Sequence, residues 1–254
     1  MPLNEKSHYA IRTTLYDNKM STSSDQPVVS LRDVTIMQEL RTVLERVNFE
    51  IGKGEFAYLV GRTGSGKSSL LKTLYADLPL FSGTATVADF KLHKLQRAEI
   101  PFLRRKIGII FQDFQLLFDR SVAENLFFVM RATGWKDKSK MKQRLSEVLM
   151  QVGLSSADNK MPHQLSGGEQ QRIVIARAMI NEPAIMLADE PTGNLDPEVA
   201  DDIMKIFRDI NHSGTAVLMA THNYNLIRDY PGRVLRCEDG KVTEDGKAAA
   251  TSYA

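Results

Sequence analysis

"FAYLVGRTGSGKSSLLKTL", residues 56–74, runs an apolar strand-like pentad into three glycines, then a lysine and two serines, then a leucine-faced helical run. Glycine lacks a Cβ and tolerates positive φ, so successive backbone N–H groups can converge on phosphate oxygens. A helix beginning near Lys67 points its positive dipole end at the same place. The spacing Gly61-x-x-x-x-Gly66-Lys67-Ser68 is that of a phosphate-binding loop. On this reading Gly61, Arg62, Thr63, Gly64, Ser65, Gly66 and Ser69 cradle phosphate, Lys67 reaches the β- and γ-phosphates, and the Ser68 hydroxyl ligates Mg²⁺. The competing reading is a glycine-rich turn. The position between a strand and a helix favours the nucleotide site.

A second stretch, "IMLADE" (185–190), completes the chemistry. A hydrophobic strand ending in acids would place Asp189 beside the loop, holding Mg²⁺ through water. Glu190 would then stand where a general base polarises an attacking water. Alone, two acids after a strand read as a helix cap or turn; the glycine loop reverses that preference.

The chain around these stretches is ordinary in bulk. Its 254 residues suffice for one large α/β domain carrying an inserted lobe. A net charge of +2 supplies no bulk attraction to nucleic acid, and none is expected as a partner. The single cysteine, Cys237, excludes an internal disulfide. No apolar run approaches the ~20 residues that span a bilayer, so membrane contact is expected only through a partner. Residues 1–27 are polar and patternless, a disordered tail or an extension before an alternative start at Met20. Residues 249–254 read as a C-terminal tail.

Strands are expected at 28–36, 47–51, 55–60, 83–89, 106–112, 184–189 and 215–221, and helices at 67–78, 121–134, 136–154, 170–181 and 198–211, with a short one from Asn223. Asp239-Gly240 signals a type I′ hairpin. The alternation predicts a P-loop-type α/β domain over 28–248: a mostly parallel core sheet, an antiparallel β subdomain, and a helical lobe at about 113–168.

"LSGGEQQR" (165–172) offers a second helix start suited to phosphate: the Ser166 hydroxyl, the bare backbones of Gly167 and Gly168, then Glu169. A serine cap with a glycine hinge is the plain alternative. Two phosphate cradles thus share one lysine, one base and one metal-holding acid.

With this string the chain resembles the nucleotide-binding domain of ATP-binding-cassette proteins over roughly 28–245. The motifs stand in that family's order: Gly61–Ser68, Gln112 of "FQD", Ser166–Glu169, "LADE", Asp196 of "NLDP" and His222 of "MATH". The resemblance implies a Mg-dependent ATPase acting as a head-to-tail homodimer in the ATP state. Each ATP would be held by one subunit's loop and the other's Ser166–Glu169. It also gives Gln112 a metal and water contact that senses a membrane partner, His222 a γ-phosphate contact, and Asp196 a cross-interface link. One departure stands out. The family usually stacks an aromatic on adenine, and "VTIMQELRTV" offers Ile36, Met37 and Gln38 instead.

No membrane domain is fused, so an integral membrane, permease-like partner is implied, with the chain peripheral on the cytoplasmic face. The stretch 99–126, "LADEPTGNLD" and "MATHN" look most like the family's cell-division branch, which works through such a partner to regulate peptidoglycan hydrolysis. Lipoprotein-releasing and macrolide-export ATPases share much of the pattern. A nucleotide-gated binding module with little turnover is the further alternative. The apolar "FQLLF" (114–118) is expected to meet the partner, against plain core packing as the other reading.

Overall fold

The computed structural model describes residues 26–244; the N-terminal tail up to residue 25, the alternative start at Met20 and the C-terminal tail lie outside the described residues. Its centre is a six-stranded sheet built on β3 (Phe56–Val60), with β6 (Ile107–Ile110), β7 (Ile185–Asp189), β8 (Ala216–Thr221), β9 (Arg233–Glu238) and β10 (Lys241–Glu244). The order is β10-β9-β3-β8-β7-β6, parallel except for β10. Unbroken apolar runs suit strands covered on both faces. On β3 the side chains divide with period two: Ala57 and Leu59 enter one core, Phe56, Tyr58 and Val60 the other.

The first core lies under an antiparallel sheet, β2-β1-β4-β5, made of β1 (Val29–Gln38), β2 (Arg41–Ile51), β4 (Ser82–Val87) and β5 (Phe90–Lys91). Leu70, Leu71 and Leu74 of α1 (Lys67–Leu74) fill the space against Leu31, Val34 and Leu44. The second core joins α5 (Gly167–Met179) and α6 (Pro197–His212) to an inserted lobe of α3 (Val122–Ala132) and α4 (Lys138–Gln151). Leu126, Met130, Met141, Leu145 and Val148 bury the lobe's apolar faces against Ile173, Val174 and Ala176. Ser121 and Glu124 close a capping box on α3, and Asp137 caps α4. Among the described residues no helix is long and apolar enough to cross a membrane.

Several expectations shift. The strand expected at 47–51 already begins at Arg41. The helix expected to reach residue 78 stops at Leu74, because Ala76 turns left-handed (φ 56) and closes a Schellman motif, Asp77 N–H to Lys72 O at 2.8 Å and Ala76 N–H to Thr73 O at 3.1 Å. A short helix, α2 (Ile100–Arg105), occupies a stretch read only as a lead-in to β6. The helix expected from residue 170 starts at Gly167, three residues sooner, since Ser166 caps it. At the Asp239-Gly240 turn both residues have positive φ (49° and 73°), as a type I′ turn demands. α7 (Tyr224–Asp229) follows β8.

Candidate nucleotide site

Sheet order decides which residues meet. β8 lies between β3 and β7, all parallel, with Val60 opposite Thr221 and Ala220 opposite Asp189. The residues just past their carboxyl ends, Gly61, Glu190 and His222, therefore emerge side by side, at the edge where α/β sheets hold ligands. Lys67, Ser68 and Asp189 join them. Gln112, two residues past Ile110, which pairs with Ala188, leaves β6 at the same edge; neither it nor Ser166–Glu169 or Asp196 is hydrogen-bonded or ion-paired to this group among the described residues.

The loop is shaped by its neighbours. A Cβ on Gly61 would collide with the Cys237 carbonyl oxygen, and one on Gly66 would stand 2.9 Å from Val43 Cγ1. Gly66 caps α1 at φ 104°, with no side-chain cap and no acid in the first turn, so no side chain of the protein occupies that helix end. A Cβ at Gly64 would meet nothing within 4 Å, while the buried Ser65 hydroxyl has no partner, an unsatisfied group that suits a phosphate acceptor. Arg62, Thr63 and Ser68 are exposed. Buried Lys67 turns its ammonium onto the loop, Nζ donating to Gly61 O at 2.8 Å and Arg62 O at 3.2 Å.

The acids divide into two roles by geometry. Asp189 accepts from the Ser68 hydroxyl; burial chiefly, and Glu190 beside it, push its carboxyl above the usual range, a penalty a cation would relieve. Glu190 has a left-handed backbone (φ 48°), a conformation costing about 1–3 kcal/mol for a residue with a side chain. The turn is held by its N–H on Ala220 O at 2.9 Å. It aims the carboxylate at two cations or donors: Oε1 lies 2.8 Å from His222 Nδ1 and 3.9 Å from Lys67 Nζ. The His222 N–H also reaches Oε2 at 3.4 Å.

At the start of α5, Ser166 Oγ accepts from Glu169 N–H at 3.2 Å and the Glu169 carboxylate accepts from Ser166 N–H at 2.8 Å. Ser166 and Gly167 are exposed. Gly168 has a packing reason of its own: a Cβ there would lie 2.5 Å from Val199 Cγ1 of α6. Asp196 caps α6 without a side-chain bond, and Gln112 follows β6 at the surface.

Beyond Gln112 the apolar "FQLLF" splits. Leu116 is core, Leu117 is half-buried, and Phe118 is 59% exposed. Leu117 lines a groove of about 400 Å³ with Arg104, Arg105, Phe111, Phe128 and Arg177. Two residues that the sequence reading passed over fix this segment. Arg177 donates to Gln115 O (2.6 Å) and Phe114 O (3.1 Å), and buried Asn125 bonds both backbone groups of Leu117 and the carbonyls of Arg120 and Ser121. A polar residue on the buried stripe of a helix, as Asn125 is, was the available signal. Cys237 was also missed; its thiol donates to Ser65 O at 3.1 Å under the loop. In the β1–β2 hairpin no ring replaces the missing aromatic, and Gln38 accepts from buried Ser69 at 3.3 Å.

Comparison with known proteins agrees with this geometry. The ABC transporter family profile matches residues 44–193. The cell division ATP-binding protein FtsE of Streptococcus pneumoniae is 41% identical over 227 residues, covering 89% of this chain and 98% of that protein. FtsE of Escherichia coli K12 is 44% identical over 202 residues, covering 80% and 90%. Among solved structures, the ATP-binding cassette MJ0796, a dimer in a post-hydrolysis state bound to ADP and Pi, superposes with a TM-score of 0.74 at 35% identity, covering 85% of this chain and 97% of that one. Sharing this fold and so much sequence over nearly the whole length of its relatives, the chain belongs to the ABC transporter family of ATP-binding proteins and is an FtsE-type ATPase.

Proposed function

We propose that two copies of this chain close head to tail around two Mg·ATP molecules and hydrolyse them to drive an FtsX-type integral membrane partner that regulates peptidoglycan hydrolysis. The observation that carries the reading is the Glu190 carboxylate, 2.8 Å from His222 Nδ1 and 3.9 Å from Lys67 Nζ, beside the phosphate loop. Lys67 exchanges its loop carbonyls for β- and γ-phosphate oxygens, leaving Glu190 free to accept a proton from the attacking water, with His222 positioning the γ-phosphate. The loop from Gly61 to Gly66, together with Ser69, wraps the phosphates. Ser68, Gln112 and, through water, Asp189 would hold Mg²⁺, which would supply positive charge against the β- and γ-phosphates.

Ser166–Glu169 act on the opposite subunit's ATP, and Asp196 couples the two sites. Support comes from the exposure of Ser166, Gly167 and Asp196 and from the lack of any bond between them and the chain's own loop among the described residues, together with the dimeric state of MJ0796. The membrane partner seats in the groove at Leu117 and Phe128, next to Gln112 in sequence, on the cytoplasmic side. Glu190→Gln is expected to retain ATP while phosphate release falls at least about tenfold, as loss of a general base does. Normal turnover by that variant removes Glu190 from the chemistry.

A further inference from the structure

The turn between α3 and α4 and the first coils of α4 carry a concentration of charge that the nucleotide chemistry does not use. Between residues 131 and 142 there are five cations, Arg131, Lys136, Lys138, Lys140 and Lys142, and one carboxylate, Asp137, in a chain whose net charge is only +2. All five cations are exposed, and none pairs with a carboxylate among the described residues. Other surface cations, such as Lys160, Lys205 and Arg233, are paired.

Lys138 and Lys140 sit in the first turn of α4, where the only carboxylate is the N-cap Asp137, which is already engaged by the Ser139 and Lys140 N–H groups at 2.8 and 3.2 Å. The segment is not a loose tether. Trp135 Nε1 and Thr133 Oγ1 both donate to Asn181 Oδ1, at 3.0 and 3.2 Å, and Trp135 N–H bonds Met130 O at 2.9 Å. The backbone that carries the lysines is therefore held in place beside the groove. The turn also rims the groove: Ala132 and Thr133 line it, and a Cβ on Gly134 would lie 3.8 Å from Arg105 Nη2.

We infer that this basic rim, Lys136, Lys138, Lys140 and Lys142, meets anionic lipid headgroups directly, beside the membrane protein seated in the groove. This rests on the groove reading above and replaces the expectation that membrane contact runs through the partner alone. Unpaired lysines on an exposed turn suit a diffuse, fluid negative surface, which needs no geometric match; a phosphate site would converge donors on one point. Each lysine near such a surface raises partitioning roughly fivefold, so four together give roughly several hundredfold.

The test sediments the full chain, without partner, with vesicles containing phosphatidylglycerol and with vesicles of phosphatidylcholine alone. Binding only to the former, released in about 1 M salt where screening shortens to about 3 Å, is expected. Replacing the four lysines by glutamine should weaken it several hundredfold at unchanged ATP turnover and unchanged unfolding temperature, whereas replacement by arginine should retain it. Absence of binding at low salt, or equal binding by the glutamine variant, overturns the inference. So does a glutamine variant that loses partner co-purification while keeping the vesicles, since that assigns the surface to a protein. Phe128→Glu, at an exposed residue lining the groove, separates the two readings: loss of the partner with vesicle binding intact supports both, and retention of the partner removes the groove assignment while the vesicle result stands by itself.

Discussion

Two helix starts in this molecule look alike in sequence, each a serine-and-glycine stretch before an amphipathic run, yet they are built differently. α1 opens on Gly66 in a left-handed conformation, with no side chain capping it and no acid in its first turn. α5 opens on Ser166, and its own Glu169 closes a capping box over the end. The first leaves its N–H groups to a ligand and adds a buried lysine. The second answers part of its own need and adds a carboxylate, which opposes an anion. A site of the first kind can bind phosphate in a single chain. One of the second kind suits a phosphate already presented by something else, which on the proposal above is a second subunit.

The sharpest way to break that contrast is to remove one cradle at a time. Lys67→Ala is expected to lower ATP affinity of the isolated chain at least about a hundredfold, measured by nucleotide titration, because it deletes the charge-assisted contact of the buried ammonium. Ser166→Ala should leave that affinity within about twofold while steady-state phosphate release falls about tenfold or more. A mixture of the two variants should recover part of the turnover, since each mixed pair then contains one intact composite pocket. Equal loss of ATP affinity by both variants would make the two cradles parts of one intramolecular site.

Gly168→Ala probes a smaller difference. Its Cβ would press on Val199 at 2.5 Å, an overpacking that costs about 1–3 kcal/mol and lowers the unfolding temperature by several degrees. Unchanged thermal unfolding would mean α6 yields, leaving phosphate contact as the sole demand for glycine there. The smallest effect belongs to Glu169. The Ser166 N–H holds its carboxyl below the usual range, so the ionised form is favoured in the fold. Its contribution is complete at neutral pH and disappears as pH falls through that lowered value. The difference in unfolding temperature between the native chain and Glu169→Gln should shrink toward acid; a gap that widens would remove the carboxylate from the cap.

The parts of the fold and site that were legible in the sequence are the ones whose causes are local. An apolar pentad followed by glycines and a lysine specifies strand, loop and helix within nineteen residues, 56–74. Asp239-Gly240 likewise carries its turn in two residues. What was not legible depends on distant neighbours. The end of α1 needed Ala76 to turn left-handed where a glycine would have announced it. Gly168 answers to Val199, and the segment after Gln112 is tied down by Arg177 from another helix. Glu190 was readable as an acid beside the loop, but its left-handed backbone, which aims it at His222, was not.

The strand that carries the phosphate loop has both of its sheet neighbours late in the chain: β8 on one side and β9 on the other. Cys237 of β9 supplies the carbonyl that crowds Gly61 and the thiol that steadies Ser65. A nascent polypeptide still short of β8 on the ribosome thus holds the whole loop as text and none of the scaffold that shapes it. Nucleotide capture then waits for the end of translation, and an incomplete chain released early has no assembled pocket with which to occupy ATP.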